Sequence, residues 1–244
     1  MPRTLVAANW KMYKTSAEAR TYFDTWRTLP AVAGREVAFF PPYTLLHEVS
    51  AYLRPGEAAG AQNLHEAPEG VFTGEVSAAM VLDAGCVYAL VGHSERRHLF
   101  GERDERVAKK FTAALNAGLR PILCVGETLE EREAGRTLQL VLGQLQAAVG
   151  MLPPTAGFDV AYEPVWAIGT GKVARCEDAA EVHAAILEWL KKRGAGKDAR
   201  LLYGGSVKPD NAADLLATEA VHGLLVGGAS LQPEEFHRIV TAGL

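Results

Sequence analysis

The stretch AYEPVWAIGTGKVA, Ala161–Ala174, sets a carboxylate, Glu163, at the end of a short apolar run. Pro164 follows, removing a backbone donor and fixing φ, which makes a rigid joint. Val165, Trp166, Ala167 and Ile168 are too apolar for an ordinary exposed loop, and Gly169 and Gly171 add backbone freedom. With Thr170, Lys172, Val173 and Ala174, the segment from Pro164 onward reads as a lid. Covering a carboxylate raises its basicity, since desolvation disfavours the charged form. Glu163 therefore reads as a base. A glutamate that merely caps a helix or pairs with an arginine needs no apolar cover.

Three other places carry candidate chemistry. In VGHSERR, Val91–Arg97, the pattern G-x-S-x-G of a hydrolase elbow fails because Arg96 stands at the final glycine. His93 itself is the better candidate: near a helix N-terminus, with Ser94 able to cap, an imidazole is expected to have a lowered pKa, stay neutral and donate a hydrogen bond. In NWKM, strand alternation points Asn9 and Lys11 to one side. The glycines of YGGS (Tyr203–Ser206) and VGGAS (Val226–Ser230) end apolar runs, where backbone N–H groups can converge on an oxyanion. GTGK, Gly169–Lys172, is not a phosphate-binding P-loop, because Val173 follows the lysine and Trp166 occupies the first glycine's place. No metal cluster stands out. His47, His183 and His237 fall in helical stretches and read as surface or interface residues.

Something must bring these groups together. Short apolar runs alternate with amphipathic stretches along the whole chain: Thr4–Trp10, Glu36–Pro41, Ala58–Asn63, Val87–His93, Arg120–Gly126, Asp159–Pro164, Arg200–Ser206 and His222–Gly228. Continuous apolarity predicts strands buried on both faces, as in a parallel sheet. Helices are predicted over segments such as Asp104–Asn116, Leu129–Val149, Glu177–Lys192 and Pro233–Thr241, with Ser16 as an N-cap, Pro209 in a first turn, and Gly118 and Gly194 as stops. Eight strand–helix pairs without a linker favour a single α/β domain over 1–244, a closed (β/α)8 barrel, rather than a doubly wound sheet. In such barrels the chemistry sits where strands end, which is where Asn9, Lys11, Gln62, Asn63, His93, Glu127, Glu163 and the glycine pairs fall.

Composition narrows the class. The chain has 244 residues, 48% of them hydrophobic and 22% charged, enough to bury a sizeable core. A net charge of −4 without a recurring basic stripe argues against nucleic acid as a partner. Cys86, Cys124 and Cys176 are odd in number and widely spaced, which favours reduced thiols. No apolar stretch approaches a membrane span, and the first residues lack the long apolar core of a signal peptide, so a cytoplasmic location is expected.

The motifs NWKM, AQN, FTGE, GHSERR, PILCVGETLEERE, AYEPVWAIGTGK, YGGSVKPDN and LVGGASL, in this order and from first strand to last, resemble the triosephosphate isomerase family. The resemblance implies a cofactor-independent, metal-free enzyme of glycolysis and gluconeogenesis that interconverts dihydroxyacetone phosphate and D-glyceraldehyde 3-phosphate. It implies Glu163 as the base, His93 as the neutral electrophile, Lys11 and Asn9 as donors to the substrate, and Glu95 as a supporting carboxylate. Substrate is implied to meet Ile168, Gly169, Ser206, Leu225, Gly227 and Gly228, with Tyr203 and Ser206 latching the closed lid. A homodimer is implied as well, in which Thr73 of GVFTGE approaches the other subunit's Asn9 and Lys11. Tyr13, where a small polar residue is expected, and His222, where an acid is expected, depart from the pattern. Two other readings compete: a Schiff-base aldolase using Lys11, and a non-catalytic phosphate-binding barrel that would not need both Glu163 and His93.

Overall fold

The computed structural model describes residues 3–150, 152–153, 156–168 and 175–244. Eight parallel strands close on themselves in chain order: β1 (Thr4–Asn9), β2 (Arg35–Phe40), β3 (Glu57–Ala61), β4 (Tyr88–Val91), β5 (Arg120–Val125), β6 (Asp159–Tyr162), β7 (Leu201–Tyr203) and β8 (Gly223–Val226), with β8 pairing back onto β1. Around them run α1 (Ser16–Thr28), α2 (Leu46–Tyr52), α3 (Ala78–Asp83), α4 (Ser94–His98), α5 (Asp104–Ala117), α6 (Leu129–Glu133), α7 (Thr137–Val149), α8 (Cys176–Arg193), α9 (Pro209–Ala217) and α10 (Pro233–Thr241). The predicted (β/α)8 barrel is the observed architecture.

Strand alternation divides the core in two. Leu5, Ala7, Ala38, Phe40, Leu90, Ile122, Cys124, Ala161, Leu202 and Leu225 form one buried cluster, the barrel interior. Val6, Ala8, Phe39, Val91, Val125, Val160 and Tyr203 pack outward against the helices, with Trp10, Phe23, Trp26, Phe111 and Phe236. The inward row of β6 therefore reads Asp159, Ala161, then Glu163. The first acid seals the bottom of the barrel: Asp159 is paired with Arg120 and Arg200, each at 2.8 Å, and Arg200 also reaches Glu36 and the Tyr88 hydroxyl. The second acid lies at the top. Gly60 leaves room for the Phe40 ring, since a Cβ there would lie 2.3 Å from a ring carbon.

Boundaries differ from the sequence-based expectations where polar chain ends leave the ladder. β7 stops at Tyr203, and Gly204, Gly205 and Ser206 curl away from it. The expected helix Leu129–Val149 is two helices, because Gly135 takes a left-handed φ of 67° between them. Thr15, not Ser16, caps α1: its hydroxyl accepts from the Glu18 amide while the Glu18 carboxylate accepts from the Thr15 amide. Gly118 and Gly194 end α5 and α8 in left-handed conformation, as expected. His47 is exposed, but His183 is fully buried behind the barrel, which corrects its reading as a surface residue.

Candidate active site

At the carboxyl ends of the strands lies a cleft of about 320 Å3. Asn9, Lys11, His93, Glu163, Ile168, Ser206, Leu225, Gly227 and Gly228 line it together, although they come from five different strand ends. Glu95 does not line this cleft; it faces an adjoining recess of about 360 Å3 that shares Asn9, Lys11 and His93. Thr73 lies exposed on a loop and lines neither space. Gly169, Thr170, Gly171, Lys172, Val173 and Ala174 fall outside the described residues.

Glu163 follows β6 and is 1% exposed. Its amide donates to Val125 O at 2.7 Å, and Gly126 permits that approach: a Cβ on Gly126 would lie 1.8 Å from the Glu163 carbonyl oxygen. Gly204 clears the other side, where a Cβ would sit 3.0 Å from Glu163 Cγ. The carboxylate is held asymmetrically. Oε2 accepts the Ser94 amide at 2.8 Å, from the first turn of α4, whereas Oε1 is buried, lacks an aligned hydrogen bond and meets His93 Nε2 at 3.0 Å. One oxygen is anchored by a backbone amide and the other faces the imidazole.

His93, rather than Ser94, caps α4. Its Nδ1 accepts the Glu95 amide at 3.3 Å, and Nε2 faces both Glu163 and, at 3.2 Å, the Asn9 amide group; a neutral ring that accepts at Nδ1 carries its proton on Nε2, toward Glu163. The helix terminus alone predicts a lowered imidazole pKa, but the whole site shifts it the other way. Burial pushes His93 down, but the Glu163 carboxylate outweighs it and holds the ring above its ordinary value. Conversely, burial pushes Glu163 up, and the facing imidazole and the Ser94 amide bring it below the ordinary carboxylate value. An imidazole and a carboxylate 3.0 Å apart in a buried place each favour the other's charged form, which here outweighs the effect of desolvation on both shifts.

Lys11 takes a left-handed φ of 51° and directs its ammonium to Glu95 at 2.7 Å. Its amide donates to Asn9 Oδ1 at 3.1 Å, and Gln62 Nε2 bridges the Lys11 and Phe40 carbonyls at 2.7 and 2.9 Å. Gln62 was legible as a strand-end residue, but its service to Lys11 was not, because the two lie 51 positions apart. Lys11 Cε also rests against Gly227, where a Cβ would lie 3.4 Å from it.

Glu127 is the residue whose part sequence reasoning missed. It is fully buried, and its Oε1 accepts from the Tyr162 hydroxyl at 3.1 Å and from Trp166 Nε1 at 3.0 Å. The Val165 amide donates to the Glu127 carbonyl, also at 3.0 Å. The 3-10 turn Val165–Ala167, the described beginning of the expected lid, is thereby tied to the end of β5. An acid after the PILCVG run was the available signal, and nothing in it named a tryptophan 39 residues away as the partner.

A buried carboxylate facing an imidazole, a paired ammonium and glycine-ended strands form one cleft suited to proton transfer on a small anion. A model of the triosephosphate isomerase family matches residues 4–243. The chain belongs to the triosephosphate isomerase family. Among similar proteins, the triosephosphate isomerase of Nitratidesulfovibrio vulgaris (strain DP4) is 52% identical over 254 residues, covering 98% of this chain and 100% of that protein. That of Aquifex aeolicus (strain VF5) is 49% identical, covering 98% of each chain. That of Halorhodospira halophila is 49% identical over 247 residues, covering 99% of this chain and 98% of its own. The protein is an isomerase of the triose phosphate class, and the family resemblance read from its motifs holds over the full length of the barrel.

Proposed function

We propose that Glu163 is the base, and His93 the electrophile, in the interconversion of dihydroxyacetone phosphate and D-glyceraldehyde 3-phosphate that membership of the family assigns to this enzyme. The observation carrying this division of labour is the asymmetry of Glu163. Oε2 is fixed by the Ser94 amide, while Oε1 is buried against His93 in the cleft, where it can take up a substrate proton once the imidazole is displaced. A positioned base of this kind contributes about 10²–10⁴-fold.

Substrate entering the cleft separates Glu163 from His93 and so removes the charge that raised the imidazole. The Glu95 amide on Nδ1 then favours the neutral ring, whose Nε2–H donates to the carbonyl oxygen as it gains negative charge. With its imidazole partner displaced and water excluded, Glu163 regains basicity. Proton abstraction from one carbon gives an enediolate, and return of the proton to the neighbouring carbon completes the isomerisation. Asn9 and Lys11 supply a hydrogen bond and positive charge on the same side, with Glu95 holding the Lys11 ammonium. That pairing engages the Lys11 side chain in an ion pair, whereas an aldolase requires it as a free amine nucleophile. Ser206, Gly227 and Gly228 offer backbone donors to the phosphate, and Leu225 and Ile168 the apolar walls. Binding of the unreactive phosphate supplies the energy for closure.

Glu163→Asp tests the base. It withdraws the carboxylate by about 1.5 Å, and a displacement of that size costs about a hundredfold or more in kcat. Inorganic phosphate binding should stay close to that of the parent enzyme. Unchanged turnover would remove Glu163 from the role.

We also read the enzyme as a homodimer. Met12 and Phe100, 93% and 67% exposed, line the recess that opens onto Asn9, Lys11 and Glu95, and Val71 and Leu99 are exposed as well, apolar surface that a second copy would cover. Thr73, on the same loop as Val71, would enter the partner's recess. The cysteines are unbridged and, among the described residues, no helix is long and apolar enough to cross a membrane. The thiols support a reducing, cytoplasmic setting.

A further inference from the structure

The β1–α1 loop carries two left-handed residues, Lys11 at φ 51° and Lys14 at φ 76°. A non-glycine residue held there is strained. A glycine at position 14 would take this conformation freely, so the lysine side chain must contribute something that offsets the strain. Its contacts are specific. The Lys14 ammonium lies 4.8 Å from the centre of the Tyr22 ring and 5.3 Å from that of Trp10, and both rings are buried. It also donates to the Leu231 carbonyl at 2.9 Å, 217 residues away.

Leu231 ends the 3-10 turn Gly228–Leu231, whose other end, Gly227 and Gly228, lines the cleft. Within that turn the Ser230 amide and hydroxyl both bond to the Gly227 carbonyl, at 2.8 and 2.7 Å. One loop thus grips the turn at both ends: Lys11 rests against Gly227, and Lys14 holds the carbonyl of Leu231. A cation at the carbonyl end complements the partial negative charge of the turn's last carbonyl.

We propose that Lys14 is a positioning residue for phosphate recognition: by clamping Leu231 it locks the Gly228–Leu231 turn and the Lys11 loop into one unit, so that the backbone donors and the Lys11 ammonium keep a fixed spacing. This rests on the reading that Gly227 and Gly228 receive the phosphate. Lys14 touches no substrate. Its effect is felt in binding, because the turn it holds would otherwise have to be ordered by the ligand.

The test compares Lys14→Met, Lys14→Gly and Lys14→Arg with the parent enzyme, with Gly228→Val as a control on the phosphate site. Steady-state kinetics give KM and kcat, calorimetry gives the Kd of inorganic phosphate, and thermal unfolding reports stability. Loss of a charge-assisted hydrogen bond that acts through the turn should raise KM and the phosphate Kd about fivefold in both Lys14→Met and Lys14→Gly, with a much smaller change in kcat. Lys14→Gly removes the backbone strain, so it folds well yet still binds weakly, and Lys14→Arg restores binding. If Lys14→Met and Lys14→Gly bind phosphate as the parent does while Gly228→Val does not, the positioning role is overturned and the phosphate reading stands. If Gly228→Val binds phosphate normally, the phosphate reading fails and the Lys14 proposal falls with it.

Discussion

His183→Phe is expected to change how stability depends on pH. His183 projects from α8 into a fully buried position against the face of Tyr162, with ring centres 6.0 Å apart at 80°. Its Nδ1–H donates to the Ala220 carbonyl at 3.0 Å, and Nε2 is buried without a hydrogen-bond partner. Burial is the main cause that pushes its pKa down to about 4; the Ala220 carbonyl pulls upward and the nearby His222 downward. In the unfolded chain the ring takes a proton near 6.5. Between these values the unfolded state binds more protons than the folded one, so this histidine erodes stability as pH falls from about 6.5 to about 4 and has no such effect above 6.5. The full loss is roughly 3 kcal/mol.

Phenylalanine keeps most of the ring volume but cannot titrate. At pH 8 the variant should be less stable by about 1–2 kcal/mol, because the Ala220 carbonyl loses its donor at a left-handed corner with φ 63°. Near pH 4.5 the order should narrow or reverse. Urea unfolding of both proteins from pH 4.5 to 8, at one protein concentration, measures the difference directly. His222, also lowered chiefly by burial, titrates in both proteins and loses only its coupling to His183 in the variant. A stability difference that stays constant across this range would refute the linkage.

Gly126→Ala should disturb chemistry from outside the cleft. Its Cβ would press into the Glu163 backbone, costing about 1–3 kcal/mol of stability and, by displacing the carboxylate, on the order of a hundredfold in kcat/KM; a coupled assay showing normal turnover would contradict this. Sedimentation should give twice the chain mass of 26.2 kDa, and a charge placed at Val71 should shift the protein toward monomer with loss of activity. A fully active monomer would rule out a partner's contribution to the recess.

Much of the site could be read from where apolar runs end. A strand buried on both faces tolerates a polar inward residue only at its ends, so Asn9, Glu163 and the glycines after β7 and β8 announced the cleft. The barrel followed from eight such runs spaced by helices. Glu163 stood out because Pro164 and an apolar segment follow it. What the residue order could not convey was partnership. Asp159, on the same inward row as Glu163, looked like part of a strand and proves to be the anchor for Arg120 and Arg200 at the opposite end of the barrel. His222, the departure from the expected acid, instead accepts the Leu201 amide at 3.1 Å, while Arg200 is paired with Asp159.

The chain alone determined fold class, cleft location and the kinds of group available, because burial pattern and turn chemistry are local properties. Tertiary structure decided which groups meet and in what charge state. Ser94 anchors Glu163 across 69 residues and Asn9 meets His93 across 84, contacts that exist because barrel closure sets the stagger of strand ends. The protonation balance of His93 reversed the expectation from its helix for the same reason: a carboxylate 3.0 Å away acts more strongly than a terminal dipole, and three-dimensional closure put it there.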